Sequence, residues 1–185
     1  MNTILNVAQI ATGIAAVISI FFTMYVYRSQ KLDNQVAIAM NISSWNIEMS
    51  QSEQEELANK ANPDFFNGND NVEWHNAPNC HNTTMNNNSF PVYNLIIAFV
   101  PNYFDLNDTD SLSQKYQHFY YEVLTPGKTM TDFVNDHSMG NGSLVPELYF
   151  TDNNNIQWHR SKNGTLKKTT YIDKAVNLGI ILKHS

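Results

Sequence analysis

The sequence predicts a mainly β protein: one N-terminal transmembrane helix followed by an antiparallel, immunoglobulin-like β-sandwich. Three observations carry this expectation. An uncharged apolar run opens the chain. Short segments rich in β-branched and aromatic residues recur from Val72 onward, and turn residues such as Pro126-Gly127 and Asn163-Gly164 separate them at short intervals. The expected division is an anchor over 1–30, a juxtamembrane helix over 31–42 and the sandwich domain over 43–185.

The anchor comes first. Ile4 to Tyr27 is a run of 24 residues without a charge, more than the roughly 20 needed to cross a hydrocarbon core. A cleavable signal peptide would need a basic start and a small-residue cleavage site. No Lys or Arg precedes the run, and the bulky "TMYVYRSQ" ends it, so an uncleaved single pass with the lipid bilayer as its partner is expected. Arg28 and Lys31 follow at once. By the positive-inside rule they place the domain in the cytoplasm rather than outside the cell. Cys80, the single cysteine, allows no intrachain disulfide, which suits a reducing compartment. Ala8, Thr12 and Ala16 form a small-residue row of the kind that supports a weak homodimer. Leu32, Val36 and Met40 continue the helical period beyond the membrane.

The β segments follow in order. "NISSWNIEM" (Asn41–Met49) reads as a first strand. A short helix is expected around Glu53 to Asn59, inside an acidic insertion that runs to Asn71. "VEWHNA" and "HNTTMN" are short strands, and Phe90 to Val100 is a near-continuous apolar strand suited to a sandwich core. "KYQHFYYEVL" and "TMTDFV" flank Pro126-Gly127, a pair that predicts a type II turn. "LVPELYF", "IQWHRS" and "TLKKTTYI" complete the set, with Asn163-Gly164 predicting a two-residue hairpin. The final "DKAVNLGIILKHS" fits a short helix or an edge strand equally. The expected core is Trp45, Val92, Leu95, Ile97, Phe99, Leu148, Phe150 and Trp158.

Charge narrows the function. The net charge is −6, and Asp33 to Asp152 holds 16 acids against 3 bases. An acidic body argues against nucleic acid as a partner. Arg160 to Lys183 reverses this with six bases and one acid. Such a basic end either touches anionic headgroups or keeps a strand edge soluble; the second reading is preferred. Sequons at Asn41, Asn82, Asn107, Asn141 and Asn163 follow from the sheer abundance of asparagine.

No residue set carries chemistry. His75, Cys80 and His81 are close in sequence, but adjacent side chains of an extended strand diverge and chelate poorly. Remaining ligands would have to come from His118, His137 or His159. Asp105, Asn107, Asp108 and Asp110 fail the calcium-loop pattern, which needs Gly and Glu where Asp110 and Tyr116 stand. No nucleophile elbow or phosphate loop occurs. No catalytic, cofactor-binding or metal residue is assigned.

Several stretches nevertheless share a pattern: Asn88, Ser89, Pro91, Val92 and Tyr93; Pro126 and Gly127; then Phe150, Thr151, Asp152, Trp158, Arg160, Gly164 and Leu166. In this order they resemble a family of uncharacterised membrane-anchored proteins of Gram-positive bacteria, over roughly residues 35–168. The resemblance implies one N-terminal helix and an immunoglobulin-like domain, and no activity. The expected function is therefore a non-enzymatic, membrane-anchored protein-interaction module whose protein partner the sequence does not name, with the acidic insertion Ser50–Asn71 as its contact region. The alternative is an envelope-exposed adhesion or phage-exclusion protein with the domain facing outward.

Overall fold

The computed structural model describes residues 2–61, 78–103, 110–113, 115–135 and 143–181. The chain forms two compact units, Met1–Ile38 and Ala39–Ser185. The first is most of helix α1 (Asn2–Met40), 39 residues long, or about 58 Å at 1.5 Å per residue. It is long and apolar enough to cross a membrane. Ser19 and Thr23 each donate a hydroxyl to the carbonyl four residues back, at 2.8 Å. That pairing removes two polar groups from any apolar surroundings.

The second unit is mainly β. It comprises β1 (Ile42–Glu48), α2 (Gln51–Ala61), β2 (Cys80–Asn86), β3 (Val92–Pro101), β4 (Gln117–Leu124), β5 (Gly127–Phe133), β6 (Leu144–Thr151), β7 (Gln157–Arg160), β8 (Leu166–Lys168) and α3 (Ile172–Asn177). One sheet has the order β1-β2-β5 and the other β4-β3-β6-β7-β8. Every neighbouring pair is antiparallel. The expected strand "VEWHNA" lies outside the described residues.

The sheets face each other across one core. Ile42, Cys80 and Phe133 come from the three-stranded sheet, and Val92, Leu95, Ile97, Phe99, Leu124, Leu148, Phe150 and Trp158 from the other. Phe99 stacks on Phe133 at 4.1 Å between ring centres. Ala39, from the last turn of α1, belongs to this core as well. Seven of the eight expected core residues are buried; Trp45 is not, with 40% of its surface exposed. Side chains alternate along a strand. Ile42 points inward, so Trp45, three residues on, points out.

The five-stranded sheet is buried on its second face too. There Ile96, Ala98 and Tyr149 pack with Leu112, Tyr171, Ala175 and Ile181. This explains the unbroken apolar run of β3: beyond the bulge, Leu95, Ile97 and Phe99 fill one core and Ile96 and Ala98 the other. It also resolves the C-terminal segment, which is a helix. Gly179 (φ +71) ends α3, and Ile180 N–H donates back to Ala175 O at 2.9 Å, closing the αL turn common at helix ends.

Local sequence signals explain most other elements. Ser50 and Glu53 cap α2 reciprocally: Ser50 N–H donates to Glu53 Oε2 at 2.8 Å, and Glu53 N–H to Ser50 Oγ at 3.4 Å. Gly127 has the positive φ (+118) that the Pro-Gly pair requires. It begins a strand in the opposite sheet, however, so this turn crosses between sheets and does not close a hairpin. The Asn163-Gly164 signal also changes form. Ser161 O accepts from Gly164 N–H at 2.9 Å, Ser161 N–H donates to Thr165 O at 2.9 Å, and Gly164 sits at φ +84. This is a three-residue loop with a left-handed last residue, in place of the expected two-residue loop. The β6–β7 loop repeats it. Asp152 O accepts from Asn155 N–H at 3.0 Å, Asp152 N–H donates to Ile156 O at 2.9 Å, and Asn155 takes φ +59.

Candidate interaction surface

The outer face of the three-stranded sheet is built by register. Trp45 pairs with Thr83, and Thr83 with Met130. One row therefore runs across β1, β2 and β5. Its neighbours are Ile47–His81–Asp132 on one side and Ser43–Met85–Lys128 on the other. Trp45, Ile47 and Met130 are 40%, 43% and 49% exposed. Thr83 between them is fully buried, and its hydroxyl has no hydrogen-bond partner among the described residues. His81 Nδ1 meets Asp132 Oδ1 at 2.6 Å beside the row.

The inner face of the same sheet carries a polar network beside Ile42, Cys80 and Phe133. Asn82 donates to Ser44 Oγ at 2.8 Å and to Asn46 Oδ1 at 2.9 Å. Thr84 donates to Asn82 Oδ1 at 3.0 Å. Asn46 then reaches the other sheet through Leu144 O at 2.8 Å. A satisfied network of this kind specifies register. It also places the sequon residue Asn82 in the interior, 1% exposed, where no glycan fits. Asn107 and Asn141 lie outside the described residues.

A cleft of about 440 Å³ opens where β3 bulges between Tyr93 and Ile96. Tyr93, Asn94, Glu122, Thr151 and Asn155 are among its lining residues. Asn94 takes a left-handed φ of +50 there. Asp152, also in the lining, is committed to the fold. Its Oδ1 accepts Asn154 N–H at 2.8 Å and Ile156 N–H at 2.9 Å, and its Oδ2 accepts Trp158 Nε1 at 3.0 Å.

Beneath α3 lies a buried polar cluster. His159 Nε2 and Glu147 Oε2 are 3.1 Å apart, both side chains 4% exposed. Tyr149 stacks on His159 at 4.4 Å and shares a 2.5 Å hydrogen bond with Ser111. Burial pushes the Glu147 carboxyl up, but hydrogen bonds from His159 and Ser111, the His159 charge and the Lys162 N–H outweigh it and hold it below the usual carboxylate range. Ser, His and Glu are all present, yet Ser111 pairs with Tyr149 and Glu147 while His159 holds Glu147. A nucleophile oriented by its carboxylate and not by its base is not a hydrolytic arrangement.

The remaining candidates are dispersed. Cys80 points into the core and donates to Ile47 O at 3.3 Å; burial raises its pKa, opposite to what a reactive thiol needs. Neighbouring His81 points outward to Asp132. His118 bonds Ser111 O at 2.8 Å. His75, His137, Asp105, Asn107 and Asp108 lie outside the described residues, and Asp110 starts a short 3-10 turn. Of the basic end, Arg160 Nη1 donates to Met40 O at 3.1 Å and to Ile42 O. Lys162 Nζ donates to Asn102 O at 2.7 Å, and Lys168 lies 5.5 Å over the Trp158 ring. These three basic groups serve the fold. Sequence reasoning missed the Trp45 row, although strict alternation counted from Ile42 would have placed Trp45 outside. Compared with known proteins, the chain matches no protein-family model, no curated protein and no solved structure.

Proposed function

We propose that this chain is a membrane-anchored, non-enzymatic protein-interaction module: α1 holds an immunoglobulin-like sandwich at the membrane, with the domain on the cytoplasmic side. The observation that carries the reading is the Trp45–Thr83–Met130 row, with Ile47 beside it. Aromatic and Met side chains exposed together on a rigid sheet are what protein interfaces are enriched in. The strand order supports the immunoglobulin-like assignment: β1-β2-β5 against β4-β3-β6-β7 follows the A-B-E and C′-C-F-G arrangement of such sandwiches, with β8 added. The Trp45 face replaces the acidic insertion as the preferred contact region, because the described part of that insertion, α2, is a polar helix.

A photo-crosslinking amino acid placed at Trp45 in the full chain, in living cells, should yield a protein adduct of defined mass. The same probe at exposed Lys167 should not. Equal labelling at both positions refutes the reading. Protease treatment of intact protoplasts tests sidedness: a protected domain fits the cytoplasmic placement, and a clipped one fits the outward-facing alternative.

A further inference from the structure

We propose that two copies of this chain pair through β5, edge to edge and antiparallel, in register about Met130. The proposal goes beyond the recognition role of the Trp45 face: the second copy meets the β5 edge, at the far side of the sheet from Trp45 on β1. β5 is an outermost strand of its sheet, so the backbone groups on its free side meet no strand among the described residues. Lys128 and Asp132 stand two residues to either side of Met130 and, by alternation, on the same outer face. An antiparallel copy centred on Met130 sets each lysine opposite an aspartate of the other chain. Among the described residues Lys128 makes no ion pair, while Asp132 meets His81 through Oδ1. A parallel or shifted alignment that set Lys128 opposite Lys128 would be repelled, so the charges select one register. Edge charges normally discourage pairing; a self-complementary pair of opposite sign does the reverse. The pairing also doubles the apolar row, which then runs Trp45–Thr83–Met130 and back through the second copy. A two-fold axis requires such self-complementarity. Tethering both copies to one membrane raises their effective concentration, so a weak edge contact is sufficient.

The test uses the full chain in membranes, carrying Cys80→Ser, with one cysteine introduced at a time and a mild oxidant added. Facing residues of antiparallel strands have Cα atoms about 4.5–5.5 Å apart, within the roughly 4.4–6.8 Å a disulfide spans. Met130→Cys should therefore give a covalent dimer. Lys128→Cys alone and Asp132→Cys alone place their thiols about 13 Å apart, at roughly 3.3 Å per residue along the strand, and should give roughly tenfold less. Chains carrying Lys128→Cys co-expressed with chains carrying Asp132→Cys should recover the mixed dimer. Adding Lys128→Asp to the Met130→Cys chain should weaken its dimer, and adding Asp132→Lys as well should restore it. Equal cross-linking at 128, 130 and 132 means collision or helix-driven association, and it overturns the proposal; so does no dimer at 130. If the Trp45 probe captures a protein of another mass while this cysteine pattern is absent, self-pairing is wrong and the recognition role stands. If the pattern appears while Trp45 and Lys167 label equally, self-pairing stands without that role.

Discussion

Asp152→Ala should be among the most damaging single changes in the domain. The carboxylate is 1% exposed and accepts three hydrogen bonds, two from the backbone of its own loop and one from the indole of Trp158. Hydrogen bonds to a charged group contribute about 1.5–3 kcal/mol each, and a buried donor left unpaired costs about 1–3 kcal/mol. Alanine removes all three bonds and leaves the Trp158 Nε1–H, in a side chain 2% exposed, facing no acceptor. The two loop amides recover part of their loss through water. A net cost of roughly 3–5 kcal/mol follows, against a domain stability of about 5–15 kcal/mol. The assay is equilibrium denaturation of the full chain in detergent, followed by near-ultraviolet circular dichroism. Trp158→Phe supplies the second arm of a double-mutant cycle. Each single change counts the broken Asp152–Trp158 bond, so the double variant should lose about 1–2 kcal/mol less than the sum. A loss below about 1 kcal/mol for Asp152→Ala, or strict additivity in the cycle, would refute the claim that this carboxylate organises the β6–β7 loop.

Other outcomes follow from the same geometry. Arg160→Gln should lower stability by about 1.5–3 kcal/mol and increase protease cleavage near Met40, whose carbonyl Arg160 caps together with that of Ile42; unchanged midpoint and cleavage would show the contact is idle. Glu147 has a depressed folded pKa, so its contribution is present above the unfolded value of about 4.3 and is lost as pH falls through the lower folded value. Stability of the parent should therefore fall more steeply on acidification below about pH 5 than that of Glu147→Gln, and parallel curves would contradict this. The full chain should remain with membranes through a high-salt wash and leave only with detergent, because apolar length and not charge holds α1. Release by salt would show that α1 does not span.

The comparison of sequence and structure turns on face and partner. Asparagine abundance looked like compositional background. In the folded chain Asn79, Asn82, Asn86 and Asn135 are connectors: Asn79 Nδ2 donates to Asn135 O at 2.9 Å, and Asn86 Nδ2 donates to Leu124 O at 3.1 Å. Composition cannot show this, because an amide's role depends on which carbonyl folding brings to it. Trp45 illustrates the same limit from the other side. Its size suggested a core residue, whereas the register set by Ile42 turned it outward. Arg160 was legible as the start of the basic C-terminal segment. That its guanidinium would cap the end of α1, across 120 residues of chain, was not.

By itself the sequence determined what local rules govern. The apolar length of α1, the Ser50–Glu53 cap, the strand positions, the positive-φ glycines at 127 and 164 and the turn carboxylate of Asp152 all depend on residues within a few positions of one another. Tertiary structure alone decided which strands share a sheet, that β3 is buried on both faces, that β5 is outermost in its sheet among the described residues, and that Trp45, Thr83 and Met130 form one row. The physical reason is that pairing partners lie 38 and 47 residues apart in that row. The energy that selects them comes from burying both sheets in a common core, a sum over the whole domain that no local window contains.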